Sequence, residues 1–404
     1  RTANGKMSPR AEILIPEMPP RVEEFQRALE LAEQNADDVD RNARFPSESI
    51  DALRSAGALG WGVPAEYGGA GARIEDLSRA AFDLSRRCAS TGMIFAMHQI
   101  QVACVARHAG NSRWAADYLE RVAREQRLIA SATSEIGVGG DIRRSIAAIR
   151  PVVESNGRGL LQFEKKASTI SYGAQADDLL TTVRRNAEAD RGDQAMVLTH
   201  ASQTELKQTS EWDTLGMRGT CSPGFVVRAN FLPEQILSDP FATISAETMV
   251  PYSHILWSHV WLGIATDAFR RARAFVRDQA RQNPGIVSPA ALRLSELSVR
   301  MAEFRALVDA ALKEYASLAG QDRARLSTVG YAVRINELKI AASGAVAHVC
   351  ESALRVCGVM GYKNGGPYSV GRHLRDAHSA TLMIHNDRLH ATNAALLLVH
   401  REGK

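Results

Sequence analysis

The spacing of apolar residues changes twice along this chain, near Leu128 and again near Pro240, and few folds accommodate that order. Up to residue 128 the apolar positions recur three and four apart. This predicts helices over 22–36, 47–58, 74–88, 91–108 and 112–125, with Ser47 or Ser49 and Asn111 or Ser112 as caps. The glycines between Gly60 and Gly71 read as a helix connector. Past Leu128 come short runs of β-branched or alternating residues, predicting strands over 129–133, 146–155, 159–165, 178–184, 195–199 and 226–232. Long helical patterns return over 246–279, 288–319, 326–357 and 377–399. Long helices with short connections make a bundle. The expected fold class is therefore α+β: an N-terminal helical domain over 1–128, a middle β-barrel or sandwich over 129–238, and a C-terminal four-helix bundle over 239–404.

At 404 residues the chain is too long for one small core. Aromatic residues are only 6% of it, so the core must be largely aliphatic and alanine-rich, which suits helices. A net charge of +4 with no Lys/Arg block gives no footprint for nucleic acid. No apolar run is expected to reach the roughly 18 residues of a membrane span. The first residues are not signal-like, and Met7 reads as the natural start. Five scattered cysteines without a Cys-x-x-Cys pair read as reduced, buried thiols. The expectation is a cytoplasmic protein with no structural metal and no membrane or nucleic-acid partner.

Four stretches could carry chemistry. Ser131-Ala-Thr-Ser-Glu-Ile-Gly-Val-Gly-Gly-Asp141 follows a strand and offers backbone N–H groups to a carbonyl-rich ring or an anion. Lys166-Ala-Ser-Thr-Ile-Ser-Tyr-Gly173 follows another strand; a polar strand face would explain it equally. Trp212-Asp-Thr-Leu-Gly-Met-Arg-Gly-Thr220 is turn-rich. Arg355-Val-Cys-Gly-Val-Met-Gly-Tyr362 ends a helix whose Ala, Ser and Gly positions permit close helix approach.

In this order and spacing the four stretches resemble the acyl-CoA dehydrogenase superfamily of flavoproteins. The first lies on the family's Thr-Glu-Pro-x-Ala-Gly-Ser-Asp. Ser134 stands for the Thr that contacts the flavin ring, Gly139 and Asp141 match, and Gly140 replaces a Ser, which removes a hydroxyl near flavin and substrate. In the second, Thr169 replaces a Trp that shields the ring, while Ser171 keeps the hydroxyl on the flavin N5 side. The third matches Leu-Gly-x-Arg-Gly-Thr, a structural turn. The fourth lies on Gln-x-x-Gly-Gly-x-Gly-Tyr/Phe, with Arg355 for Gln and Val359 for the second Gly; in the family it meets the ADP half of FAD held by a neighbouring subunit. The resemblance thus implies flavin contacts from Thr133, Ser134, Gly139, Gly140, Thr169, Ser171, Arg355, Gly358, Val359 and Asn386. It also implies a homodimer or tetramer.

One departure bears directly on function. The family's dehydrogenases remove the α-proton of an acyl thioester with a Glu shortly after Arg-Asp-Ala. Counting from Arg375-Asp-Ala377 places Ile384 on that Glu, His385 on the following Gly and Asn386 on the Thr. The alternative site for the Glu falls near Ser253 and His254, again without a carboxylate. Isoleucine cannot accept a proton. Three expectations follow. The protein oxidises an acyl thioester with FAD, using His385, Asp387 or His254 as base and an electron-transfer flavoprotein as acceptor. Or it is a monooxygenase taking reduced FMN or FAD as co-substrate from a flavin reductase, with His98, His385 and Ser171 near the ring. Or it binds flavin or a partner without catalysis. An isolated helical His is more often a core or surface residue, and burial would explain His98 equally well.

Overall fold

The structure is a computed structural model that describes residues 22–152 and 159–399. Met7, and the part of the strand expected over 146–155 that follows residue 152, lie outside the described residues. Five N-terminal helices come first: α1 (Val22–Asn42), α2 (Ser47–Ser55), α3 (Ile74–Ser85), α4 (Ala89–His108) and α5 (Arg113–Glu125). Of the expected caps, Ser112 accepts from the Ala115 amide, whereas α2 has Pro46 at its N-cap. α3 buries Ile74, Leu77, Ala81 and Leu84, the stripe its three- and four-residue spacing predicts. α4 is buried on nearly every face because α3, the central bundle helix and the first strand all pack on it.

The strands are β1 (Ile129–Ala132), β2 (Arg150–Pro151), β3 (Leu161–Ala167), β4 (Asp178–Arg184), β5 (Gln194–His200), β6 (Thr204–Gln208) and β7 (Phe225–Phe231). One sheet has the order β1-β4-β5, with β1 parallel to β4; the other is antiparallel in the order β2-β3-β7-β6. β3 and β7 alternate buried and exposed residues, and Phe163, Val227 and Phe231 face the core. β6 is the strand the sequence reading lacks. Its Thr-Glu-Leu-Lys-Gln is polar, as edge strands commonly are.

After α6 (Phe241–Ile244) and a π-helical turn come three long helices, α7 (Val250–Gln282), α8 (Pro289–Gln321) and α9 (Val329–Cys357). The short α10 (Val359–Tyr362) follows them. The single helix expected over 377–399 is corrected. The chain forms α11 (Gly371–His378), an irregular turn, and then α12 (Asn386–Val399). Both pack on α9 and fill the fourth position of the bundle. The turn has a cause: Lys339, buried on α9, donates to the Ile384 carbonyl at 3.0 Å and to Asn386 Oδ1 at 2.6 Å, and Ile384 sits at φ +43°.

The hydropathy expectation is also corrected. Among the described residues α4 and α9 are long and apolar enough to cross a membrane. α4 instead forms the centre of the N-terminal core, with 89% of its apolar window inside the fold. One apolar core runs from Phe25 in α1 through the sheets to Ala380.

Candidate active site

A cavity of about 1020 Å³ opens where the three units meet. That is the upper end of the about 300–1,000 Å³ of small-molecule sites, and it has room for a fused three-ring group with a second molecule beside it. Six pieces of chain line it: the loops after β1 and β3, the 212–222 loop, facing stripes of α4 and α7, and the turn between α11 and α12.

The two strand loops are tied together by one side chain. Ser134 Oγ donates to the Thr169 carbonyl at 2.7 Å and accepts from the Thr169 amide at 3.2 Å. Gly137, Gly139 and Gly140 all have positive φ, which turns this loop's backbone inward. The Arg388 guanidinium lies over Gly139 and Gly140 and would touch a Cβ at either, at 3.4 Å. Behind the loop, Glu135 accepts from Ser145 Oγ and from the amides of Ile146 and Ala147, with Lys165 Nζ at 3.7 Å. Lys165 sits between the sheets, donates to the Thr182 carbonyl at 2.7 Å, and has its pKa pushed down to about 8 by burial.

A relay of hydroxyls reaches the cavity from the 212–222 loop. Thr220 Oγ1 lies 2.8 Å from the Met217 carbonyl and 2.9 Å from Ser222 Oγ, to which it can donate, and Ser222 Oγ donates to Ser171 Oγ at 2.8 Å. Ser171 therefore keeps its own proton for a ligand. The loop is held from the helical side. Asp376, buried and bonded to the Met217 amide at 2.6 Å, has its carboxyl pushed up to about 6 by burial. A Cβ on Gly216 would lie 2.1 Å from the Arg375 carbonyl, so only glycine permits this approach. Tyr172, Met217 and Ile384, all cavity-lining, have positive φ. Such strain clusters where the surroundings over-determine a site.

The sequence-derived residues divide as follows. Thr133, Ser134, Gly139, Gly140, Thr169 and Ser171 converge on the cavity, as do Ile384, His385 and Asp387. His385 Nδ1 is 3.5 Å from Asp387 Oδ2, and both side chains are largely exposed. Two histidines are corrected. His98 is fully buried, bonds the Leu59 carbonyl at 2.8 Å and accepts from the Ile129 amide at 3.1 Å, so it splices α4 to β1 behind the cavity wall. His254 points away from the cavity, with Nδ1 bonded to the Ile335 carbonyl at 3.0 Å. Burial pushes both down to about 4, so both are neutral core residues. Asn386 is corrected as well: Lys339 and Ser343 take up its amide within the bundle. Arg355, Gly358 and Val359 lie on the exposed end of α9 and start of α10, outside the cavity, beside exposed Met360 and Tyr362.

Apart from Ser253, named as the alternative position of the base, sequence reasoning missed the helical wall: Met93, Met97 and Gln101 on α4, Met249 in the π-helical turn, and Trp257 on α7. On each helix the positions recur at four-residue steps, but the other faces are buried too, so the stripe does not stand out in the sequence. His378, Arg375 and Arg388 complete the opposite side, and Arg375 is already paired with Asp40.

The cavity meets the needs of a flavin. It presents an inward-turned glycine loop, a hydroxyl with a spare proton at Ser171, and an apolar wall opposite.

Comparison with known proteins agrees with this architecture. Residues 22–126 match the acyl-CoA dehydrogenase N-terminal domain and residues 246–384 the acyl-CoA dehydrogenase C-terminal domain. The chain is 23% identical over 346 residues to the short-chain specific acyl-CoA dehydrogenase of Clostridium acetobutylicum, covering 85% of this chain and 87% of that one. It is 27% identical over 219 residues to the putative acyl-CoA dehydrogenase YdbM of Bacillus subtilis, 54% of this chain and 55% of that one. Among solved structures it superposes on KijD3 in complex with dTDP at TM-score 0.81 and 20% identity, covering 94% and 96% of the two chains. On FMN-bound TdsC from a Paenibacillus species the TM-score is 0.79 at 21% identity, covering 94% and 98%. The chain belongs to the acyl-CoA dehydrogenase superfamily, a family of flavin-dependent enzymes.

Proposed function

We propose that this protein is a monooxygenase that uses reduced flavin and dioxygen to oxidise a largely apolar small molecule. One observation carries the reading: where proton abstraction from an acyl thioester would need a carboxylate, the cavity wall is Ile384 between Met383 and His385. The other lining carboxylates are a poorer fit to that role. Glu135 is consumed by four polar partners, and the Asp387 side chain is 87% exposed. A base must stand within hydrogen-bond reach of the proton it takes.

When bound in its reduced form, a flavin supplies two electrons to dioxygen, so that one oxygen atom enters the substrate and the other leaves as water. The chain's residues have separate tasks. Ser134 holds the two ring-facing loops at one spacing. Ser171, oriented by Ser222, presents a proton to the ring edge. Met97, Met249, Trp257, Leu382 and Ile384 exclude water and cradle an apolar substrate. Arg388 stands over the glycine loop as a cation for the flavin's anionic tail. TdsC, which shares the fold, is a dibenzothiophene monooxygenase and has been solved with FMN and indole, and KijD3 with FMN and a dTDP-sugar. A flavin reductase is the partner this reading requires. The exposed Val359, Met360 and Tyr362 beside Arg355 support a subunit contact, hence a dimer or tetramer.

A second reading rests on the His385–Asp387 pair at the cavity. It would serve as base for acyl-thioester oxidation with FAD, with an electron-transfer flavoprotein as acceptor. The test is dioxygen uptake by the protein with reduced FMN and an aromatic substrate such as indole. Substrate-dependent uptake with oxygenated product supports the monooxygenase. Uptake identical with and without substrate, across a panel of ring compounds, counts against it.

A further inference from the structure

Methionine is concentrated at this cavity. Five of the chain's ten methionines line it: Met93, Met97, Met217, Met249 and Met383. Packing alone does not ask for them, since leucine and methionine exchange in apolar cores at little cost. Among the described residues no cysteine lines the cavity, so thioethers are the sulfur it offers to an oxidant. Their access differs. Met93, Met217 and Met249 are buried, whereas Met97 and Met383 are half-buried. Among the described residues of α4 between Ala89 and Val105, Met97 alone is not buried. The rest of that stretch is packed, so the open part of Met97 faces the cavity it lines. Met360, on α10, is 41% exposed and lies outside the cavity.

Resting on the reading that reduced flavin meets dioxygen here, we propose that Met97 is a site of oxidative modification, converted to methionine sulfoxide by hydrogen peroxide formed in the cavity when no substrate is present. Dioxygen that takes two electrons and two protons without oxygenating a substrate leaves as hydrogen peroxide. The Met97 sulfur attacks one peroxide oxygen, an S–O bond forms and the O–O bond breaks. Sulfur is oxidised by two electrons. The transferred oxygen gives up its proton, and the departing oxygen leaves as water. The product puts a polar S=O into an apolar wall, where it opposes the binding of an apolar ring. Turnover without substrate thereby lowers the cavity's affinity for substrate, and a methionine sulfoxide reductase restores the thioether. Met383, half-buried on the turn between α11 and α12, is the second site by the same exposure.

The test is peptide mass mapping of the flavin-loaded wild type. The protein is held in air with reduced FMN, without substrate and with catalase in solution. Catalase clears peroxide from bulk water but is too large to enter the cavity, so it shields Met360 and not Met97. Sulfoxide at Met97 should exceed that at Met360 by at least about fivefold. Hydrogen peroxide added to the flavin-free protein should reverse the order, with the exposed Met360 modified first. An unmodified Met97, an equal extent at Met360, or Met97 leading in both arms overturns the proposal. After the flavin treatment the wild type's affinity for indole should fall by about tenfold, and that of Met97→Leu should fall less. An equal fall in both overturns the assignment to Met97, and if the variant does not fold, the mapping of the wild type decides alone. Sulfoxide at Met97 without substrate-dependent dioxygen uptake retains the site and sinks the monooxygenase. Oxygenated product with Met97 intact does the reverse.

Discussion

Replacing Lys339 by Met tests how the turn at Ile384 is held. Lys339 is fully buried, and among the described residues its ammonium has no carboxylate partner; its acceptors are the Ile384 carbonyl and Asn386 Oδ1. Burial pushes its pKa from the ordinary 10.5 down to about 8, a penalty of about 3 kcal/mol on the charged form at neutral pH. Methionine relieves that penalty but removes the donor to two part-buried acceptors, at about 1–3 kcal/mol each, with Ser343 Oγ still 3.4 Å from Asn386 Oδ1. These effects nearly cancel, so global stability at pH 7 should change by less than about 2 kcal/mol. The local effect does not cancel. A β-branched residue in the left-handed region holds about 1–3 kcal/mol of strain, and without Lys339 the Ile384 carbonyl loses the side chain that holds it there. Flavin affinity should fall by about tenfold, equivalent to about 1.4 kcal/mol. The pH dependence gives a separate signature. Between about pH 8 and 10.5 the unfolded chain still holds a proton on this lysine that the folded chain has released, so wild-type stability rises with pH across that window. Urea unfolding from pH 7 to 10.5 should show this rise in the wild type and a flatter profile in Lys339→Met. Identical slopes with unchanged flavin affinity would refute the reasoning.

Other outcomes follow from the same geometry. His98 and His254 have folded pKa values near 4 against an ordinary 6.5, so the unfolded chain takes up protons that the folded chain refuses. Stability should fall as pH drops from 6.5 towards 4, by up to about 3 kcal/mol per histidine, and urea midpoints for the wild type and His98→Gln would show it; equal slopes would contradict it. Gly216→Ala forces a Cβ to within 2.1 Å of the Arg375 carbonyl. The melting temperature should drop, reflecting at least about 1–3 kcal/mol, and an unchanged melt would show that the loop can move away. Ser171→Ala removes the hydroxyl that Ser222 orients. Flavin affinity should weaken by about five- to tenfold with little change in melting temperature, checked by fluorescence titration.

The helix–strand–helix order was legible because burial on one face leaves a period in the sequence. The ring-facing loops were legible because glycines with positive φ and adjoining hydroxyls cannot be exchanged freely. Other features had no such trace. β6 is a charged edge strand, and its Glu205 and Lys207 hide any alternation. The break at Ile384 is imposed by a lysine 45 residues away, so the local pattern reads through it as helix. His98 and His254 looked like chemistry in sequence because the backbone carbonyls that bond them come from distant segments. The wall of Met97, Gln101 and Trp257 was obscured for a different reason. α4 and early α7 are buried on almost every face, which erases the contrast that would mark a cavity-lining stripe.

The central claim is that the cavity binds flavin and places Ile384, not a carboxylate, where an α-proton would be taken. The direct measurement is anaerobic titration of the flavin-loaded protein with acyl-CoA thioesters, following the visible flavin absorbance. With Ile384 in the wall, the absorbance should stay that of oxidised flavin at every thioester chain length tested. Stoichiometric bleaching by any of them would contradict the account and place a working base in this cavity.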